Sequence, residues 1–326
     1  MITKPDTKIG RLDSQSENIH LDCCPVCLSR HIQMCIETNA QMHNDSGHFN
    51  FDQCRDCELV FLNPRIAEDC LHEYYDKNYL PYRGAQAWGK YAWIVRNAQS
   101  KLDKARARLI AKYKDIHEET RILDIGCGQP TLLQTCKNMY GCDAMGIDFS
   151  DNGWHDTGDR YANLNLKISR IKDLSPSLRP DIITMWHYLE HDYDPLTHLT
   201  VLRKLSKPDT ITVIEVPNYD SDSRKKYGRH WAGYHTPRHT FLFSPDNLKL
   251  LLEKTGWRVV DINNQGTLDG YIVYWMSEME QKGIDWKKDM APEFWPYVYG
   301  MMAFKFKNLF ARNKSLGIMT AIAKPN

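Results

Sequence analysis

The chain has no excess of charge of either sign: 42 Lys and Arg stand against 41 Asp and Glu in 326 residues, a net charge of +1. Nucleic-acid recognition usually leaves a strongly basic face, and this total gives no such footprint. Long hydrophobic runs are missing too. The first twenty residues, MITKPDTKIGRLDSQSENIH, hold no apolar stretch of the kind that opens a secreted protein. No later segment approaches the ~18 consecutive apolar residues needed to cross a bilayer. No internal repeat or low-complexity tract is present. A cytoplasmic globular protein is expected, and 42% hydrophobic with 25% charged residues fits one. Without an export signal, the ten cysteines read as metal ligands or small buried thiols, not as a disulfide framework.

Four of them have metal-ligand spacing. Cys24-Pro25-Val26-Cys27 and Cys54-Arg55-Asp56-Cys57 are two CxxC turns separated by 26 residues. Two such turns can close a four-thiolate shell, which suits a structural zinc ion. Iron accepts the same donors, and a redox CxxC is the competing reading. Cys23 is an adjacent alternative ligand, whereas His43 and His48 read as surface residues of the intervening loop. Residues 21–64 are therefore expected to form a small zinc-ribbon-like module, folded in part by its metal. Residues 1–20 are polar and expected to be a disordered tail.

Residues 65–118 read as a helical linker, with Ala98, Leu102, Ala105, Leu109 and Tyr113 as one apolar stripe. From 119 to 326 strands alternate with helices. Strands are predicted over Arg121–Ile125, Ala144–Ile147, Asp181–Met185, Ile211–Val216, Trp257–Ile262 and Gly317–Ala323. Helix starts are signalled by Pro130, Asp194-Pro195 and Ser244-Pro245. Such alternation predicts an α/β domain with a mostly parallel sheet.

The first strand runs into Gly126-Cys127-Gly128, where backbone can approach a ligand closely and a helix N-terminus follows. The third glycine of a dinucleotide-binding GxGxxG is absent, since Thr131 holds its place. Asp124 precedes the turn. Twenty residues after Gly128, Asp148 ends the next strand, where a carboxylate can accept both hydroxyls of an adenosine ribose.

Taken in order, LDIGCG (123–128), GIDFS (146–150), PDIITMWHYLEHDYDP (180–195) and ITVIEVPN (211–218) resemble the class I S-adenosylmethionine-dependent methyltransferases. The resemblance implies a Rossmann-like seven-stranded methyltransferase sheet and S-adenosylmethionine as cofactor. It implies that Asp124, Gly126 and Gly128 line the cofactor and that Asp148 holds its ribose. Trp186 and His187 would border the transferred methyl group, and Asp173 would face the adenine. Pro130 departs from a frequent small residue, and Ser206-Lys207-Pro208-Asp209 from a Lys-Pro-Gly-Gly turn.

The segment 224–244 is dense in His, Arg and aromatic residues. Trp231, Gly233, His235, Pro237, Arg238 and His239 resemble a W-x-G-x-H-x-P-R-H stretch of a methyltransferase subgroup that often carries an N-terminal four-cysteine module. Some members methylate carbon atoms of nucleotide-linked sugars. The resemblance implies His235 or His239 as general base, Arg238 as an anion contact, and Glu190-His191 as a second candidate pair. The expected acceptor is a small molecule, a keto sugar nucleotide or natural-product intermediate, methylated at carbon or oxygen. An RNA methyltransferase whose zinc module grips nucleic acid is the alternative, and a non-catalytic cofactor-binding scaffold is another. The aromatic-rich insertion at about 270–312 reads as a helical pair packed on the sheet. A lid, a dimer face and a peripheral membrane contact are its functional readings.

Overall fold

The computed structural model describes residues 18–43, 47–75, 79–309 and 314–326. Most of the expected tail (residues 1–17), and Phe310 and Arg312 of the aromatic insertion, lie outside them. Residue 19 is already paired with the body of the protein: Ile19 and Arg65 exchange backbone hydrogen bonds of 2.7 and 3.0 Å.

The front of the chain forms strands β1 (Ile32–Asn39), β2 (His48–Cys54) and β3 (Val60–Leu62), joined antiparallel. A short helix α1 (Leu80–Arg83) and a long helix α2 (Ala92–Ala111) lead onward. The main sheet then takes β4 (Arg121–Ile125), β5 (Asp143–Asp148), β6 (Asn165–Ile168), β7 (Ile182–Trp186) and β8 (Ile211–Pro217). These five are parallel to one another. A two-residue strand β9 (Phe241–Leu242) does not join them. It pairs instead with β3, so the front sheet runs β1-β2-β3-β9. The last strands, β10 (Trp257–Asn263) and β11 (Ile318–Pro325), complete the order β10-β11-β8-β7-β4-β5-β6, with β11 antiparallel to both neighbours. The domain is thus a Rossmann-like α/β fold with a mixed seven-stranded sheet.

The crossovers follow local chemistry. Helix α3 (Thr131–Tyr140) starts after Pro130, and α4 (Pro195–Leu205) is capped by the Asp194 carboxylate, which accepts from Thr197 N at 3.2 Å. Beyond a short α5 (Asp222–Tyr227), α6 (Pro245–Lys254) opens with a capping box between Ser244 and Asn247. β8 is buried at every position, as the apolar, β-branched run Ile-Thr-Val-Ile would have it, yet Glu215 lies in its middle.

Two expectations need correction. On α2 the expected stripe is displaced by one position: Ala98 and Ala105 are exposed, and the buried face carries Asp103, Arg106, Ala107 and Ile110. A pattern search for apolar residues passes over a face that buries charge. The insertion helices α7 (Tyr271–Lys282) and α8 (Phe294–Lys307) do not simply cover the sheet. Their aromatics meet the stretch before α2, with Trp88 5.6 Å from Trp275 and 5.7 Å from Tyr297 between ring centres. Along α8, Trp295, Tyr299, Met302 and Phe306 remain exposed. No helix among the described residues is long and apolar enough to cross a membrane.

Candidate active site

The glycine turn connects β4 to α3 at the carboxyl end of the sheet. Gly126 and Gly128 have φ of +67° and +46°, which a side chain would strain. A Cβ on Gly126 would lie 2.4 Å from the Tyr188 ring, whereas one on Gly128 would meet open space. Asp148 ends β5 directly beside the turn and accepts from Gly128 N at 2.9 Å. Burial pushes its carboxyl above the ordinary range, against the hydrogen bond from Gly128. Asp124 lies deeper, accepting from the Thr184 hydroxyl at 2.6 Å, and burial raises it to about 7. Asp173 is exposed and shares a groove with Arg121 and Asp143, which begin β4 and β5. That placement removes the expected adenine contact.

Trp186 ends β7 and His187 follows it, and each is held by a residue the sequence reading did not name. Arg106 on α2 stacks over the Trp186 ring at 4.3 Å and ion-pairs with Glu215 at 2.6 Å. Glu215 also accepts from Thr320 at 2.8 Å and from the Thr267 hydroxyl at 2.7 Å. Burial opposes its charge, but Arg106 and His187 outweigh that and hold its carboxyl below the usual range. His187, at φ +54°, lies 3.2 Å from Glu190 and 3.5 Å from Glu215. Burial disfavours its cation, yet the two carboxylates win and raise it to about 9. A charged residue inside an otherwise apolar strand was the available signal for Glu215. Arg106 offered none beyond its place on a helix.

Above this row lies a second cluster. His191, His235 and His239 gather with ring centres 4.5 Å apart for His191–His239 and 4.9 Å for His235–His239. Tyr75 and Tyr79 roof them: Tyr75 Oη is 3.0 Å from His191 Nδ1, and Tyr79 Oη is 2.7 Å from His235 Nε2. Tyr75 also approaches Phe149, the residue after Asp148, at 5.9 Å. Tyr75 thus links the histidine cluster to the end of β5 beside the glycine turn. Burial and then Arg238 push His235 well below its ordinary value, and burial does the same to His239, so both imidazoles are neutral. Arg238 is fully buried. Its guanidinium donates to the backbone carbonyls of Tyr74 and Gln41, each at 2.8 Å, and lies 4.3 Å from the Tyr79 ring. The implied anion contact is replaced by a clamp between the front segments and the rear loop.

Cys24, Cys27, Cys54 and Cys57 bring their four sulfurs within 4.8 Å of one another. Cys24 and Cys57 are 3.5 Å apart, and Cys27 and Cys54 3.4 Å. Four thiolates around a tetrahedral zinc would be about 3.8 Å apart, given the usual bond length, close to these separations, so the donor set fits that ion. Cys23, His43 and His48 are outside this group.

Residues 94–262 match the model of a family described as a methyltransferase domain. A ubiquinone biosynthesis O-methyltransferase of Cereibacter sphaeroides is 26% identical over 190 residues, 53% of this chain and 76% of that one. A small RNA 2'-O-methyltransferase of Rattus norvegicus is 26% identical over 148 residues, 44% of this chain and 34% of that one. Among solved structures, Haemonchus contortus phosphoethanolamine N-methyltransferase 2 in complex with S-adenosyl-L-methionine superposes with a TM-score of 0.51. It is 16% identical and covers 90% of this chain and 69% of its own, a likeness of fold.

Proposed function

The chain belongs to the methyltransferase-domain family and is an S-adenosylmethionine-dependent methyltransferase, and from that premise we propose that its acceptor is a small molecule held under the tyrosine roof. One observation carries this reading. Tyr75 and Tyr79 lie over the histidines, hydrogen-bonded to His191 and His235, and Tyr75 reaches Phe149 beside Asp148, an enclosed aromatic setting that favours a compact acceptor over a nucleic-acid strand. The balanced charge agrees. A keto sugar nucleotide or a natural-product intermediate, methylated at carbon or oxygen, has the size and the acidic proton that this site can serve.

The bound cofactor supplies an electrophilic methyl on sulfur. Asp148 accepts the ribose hydroxyls, the open side of Gly128 admits the ligand, and Asp124 braces the turn. Trp186 and His187 form the wall beside the transferred group, stiffened by Arg106 and Glu215. The Tyr79–His235 pair takes the acceptor proton, and the roof excludes water while alignment lowers the barrier. The four cysteines hold a structural zinc ion that fixes the hinge between β2 and β3. Cys57→Ser would then lower bound zinc to well under one ion per chain.

Calorimetric titration with S-adenosylmethionine and its demethylated product, beside Asp148→Ala, tests the cofactor site. Turnover is then assayed across 4-keto nucleotide sugars and structured RNA. Methylation of the RNA alone, or retention on heparin at physiological salt, would overturn the small-acceptor reading.

A further inference from the structure

Glu190, His191 and His239 bring one donor atom each to within 4.8 Å of one another. Two distant segments meet here. Glu190 and His191 form the turn after β7, and His239 closes the loop that leads into β9. Glu190 is 1% exposed. Its Oε1 is 3.2 Å from His187 Nδ1 and 4.0 Å from His239 Nε2, but its Oε2 is buried with no hydrogen-bond partner among the described residues. A buried carboxyl oxygen left without a partner is costly, and neither the cofactor wall nor the Tyr79–His235 pair uses it.

The two histidines are oriented by their other nitrogens. His239 Nδ1 is 2.8 Å from the Gly233 carbonyl, so it carries the hydrogen and donates, and Nε2 keeps a lone pair on the side of Glu190. His191 Nδ1 is 3.1 Å from the Arg238 carbonyl and 3.0 Å from Tyr75 Oη, and a hydrogen on Nδ1 shared between these two oxygens leaves Nε2 as its lone-pair nitrogen. A carbonyl fixing Nδ1–H on each ring is the outer support that metal-bound imidazoles ordinarily have.

We propose that Glu190, His191 and His239 form a second metal site, distinct from the four cysteines, for one divalent first-row transition cation. Two imidazoles and one carboxylate suit manganese, iron, cobalt or zinc and leave coordination positions open. Tyr75 touches His191, and Tyr79 touches the neighbouring His235, so an ion here lies beside the proposed acceptor site and would hold an oxygen of the acceptor. That role rests on the methyl-transfer reading, whereas the binding of the ion does not.

The experiment is elemental analysis of the full-length protein, zinc-loaded at its cysteines and equilibrated without oxygen with excess cobalt(II). Two metal ions per chain are expected. The second should give visible absorption without a sulfur charge-transfer band, and should be lost in Glu190→Gln and in His239→Asn. Each variant is titrated with S-adenosylmethionine as a control for folding, and His191→Asn replaces either one that fails it. A single ion per chain at saturating cobalt(II), or a second ion that folded variants all retain, overturns the site. Neither assay needs turnover. A protein that binds the second ion and methylates nothing would overturn only the methyl-transfer reading.

Discussion

The Tyr79 hydroxyl lies 2.7 Å from Nε2 of His235, although 156 residues separate the two in sequence. Burial raises the Tyr79 phenol to about 12 and pushes His235 well below its ordinary value, so the phenol donates and the imidazole accepts. An acceptor proton can pass to the tyrosine oxygen as the tyrosine proton moves to His235. Tyr79→Phe and His235→Gln should each slow methyl transfer about 100-fold or more in single-turnover assays. Affinity for S-adenosylmethionine should stay within about twofold, because neither residue touches the glycine turn. A rate within threefold of wild type for both would remove the pair from the chemistry.

Arg238 acts at a different level. Its donors satisfy carbonyls of Tyr74 and Gln41, so it fastens the roof and the front sheet to the rear loop. Arg238→Met keeps the bulk but strands those carbonyls, a loss on the order of 2–4 kcal/mol. Urea unfolding should show it, and limited proteolysis should find new cleavage near residues 74–91. A stable variant that loses only acceptor affinity would instead restore the anion-contact role.

How much of this could be read beforehand follows from where each signal resides. The cysteine pairs, the glycine turn and Asp148 carry their chemistry within a few residues, so spacing alone announces them. Helix starts at Asp194 and Ser244 are equally local. β6 was not delimited beforehand because Asn165–Ile168 is a four-residue, mostly exposed edge strand, too short for its alternation to stand out. The roof was missed for another reason: Tyr75 and Tyr79 gain meaning only from His191 and His235, more than a hundred residues on. Arg106 lies on a helical face that buries charge, which defeats any reading built on apolar periodicity. Asp173 failed in the opposite direction, because the family order of motifs does not say which way a turn residue points.

Cofactor binding should depend on the charge of Asp148. Burial has already raised its pKa, and only the ionised form accepts from both ribose hydroxyls and from Gly128 N. Affinity should therefore be fully developed at alkaline pH and weaken as pH falls through the raised value. Asp148→Asn should bind more weakly at pH 8 and lose most of the pH dependence, while Asp148→Ala should abolish measurable binding. Calorimetry at pH 5.5, 7 and 8.5 checks this. An Asn variant with the wild-type slope would place the titrating group elsewhere, with Asp124 as the next candidate.

Glu280 on α7 accepts from the backbone N–H of Met42 at 2.8 Å, tying the insertion to the front sheet. Burial raises its carboxyl from 4.5 to about 7. The native state thus holds this proton more tightly than the unfolded chain does. Stability contributed by the group is complete below about 4.5, declines as pH rises, and has gone above 7. The shift corresponds to roughly 3 kcal/mol at most. Glutamine keeps an acceptor for Met42 and carries no charge to desolvate. Glu280→Gln should therefore stabilise the protein by about 1–3 kcal/mol at pH 8 and by under ~0.5 kcal/mol at pH 5. Urea midpoints at the two pH values provide the measurement. Equal gains at both would mean that the carboxyl titrates normally and that the contact with Met42 is solvated. A loss at pH 8 would mean that the ionised form is the one the fold requires, held by a cation in place of the proton.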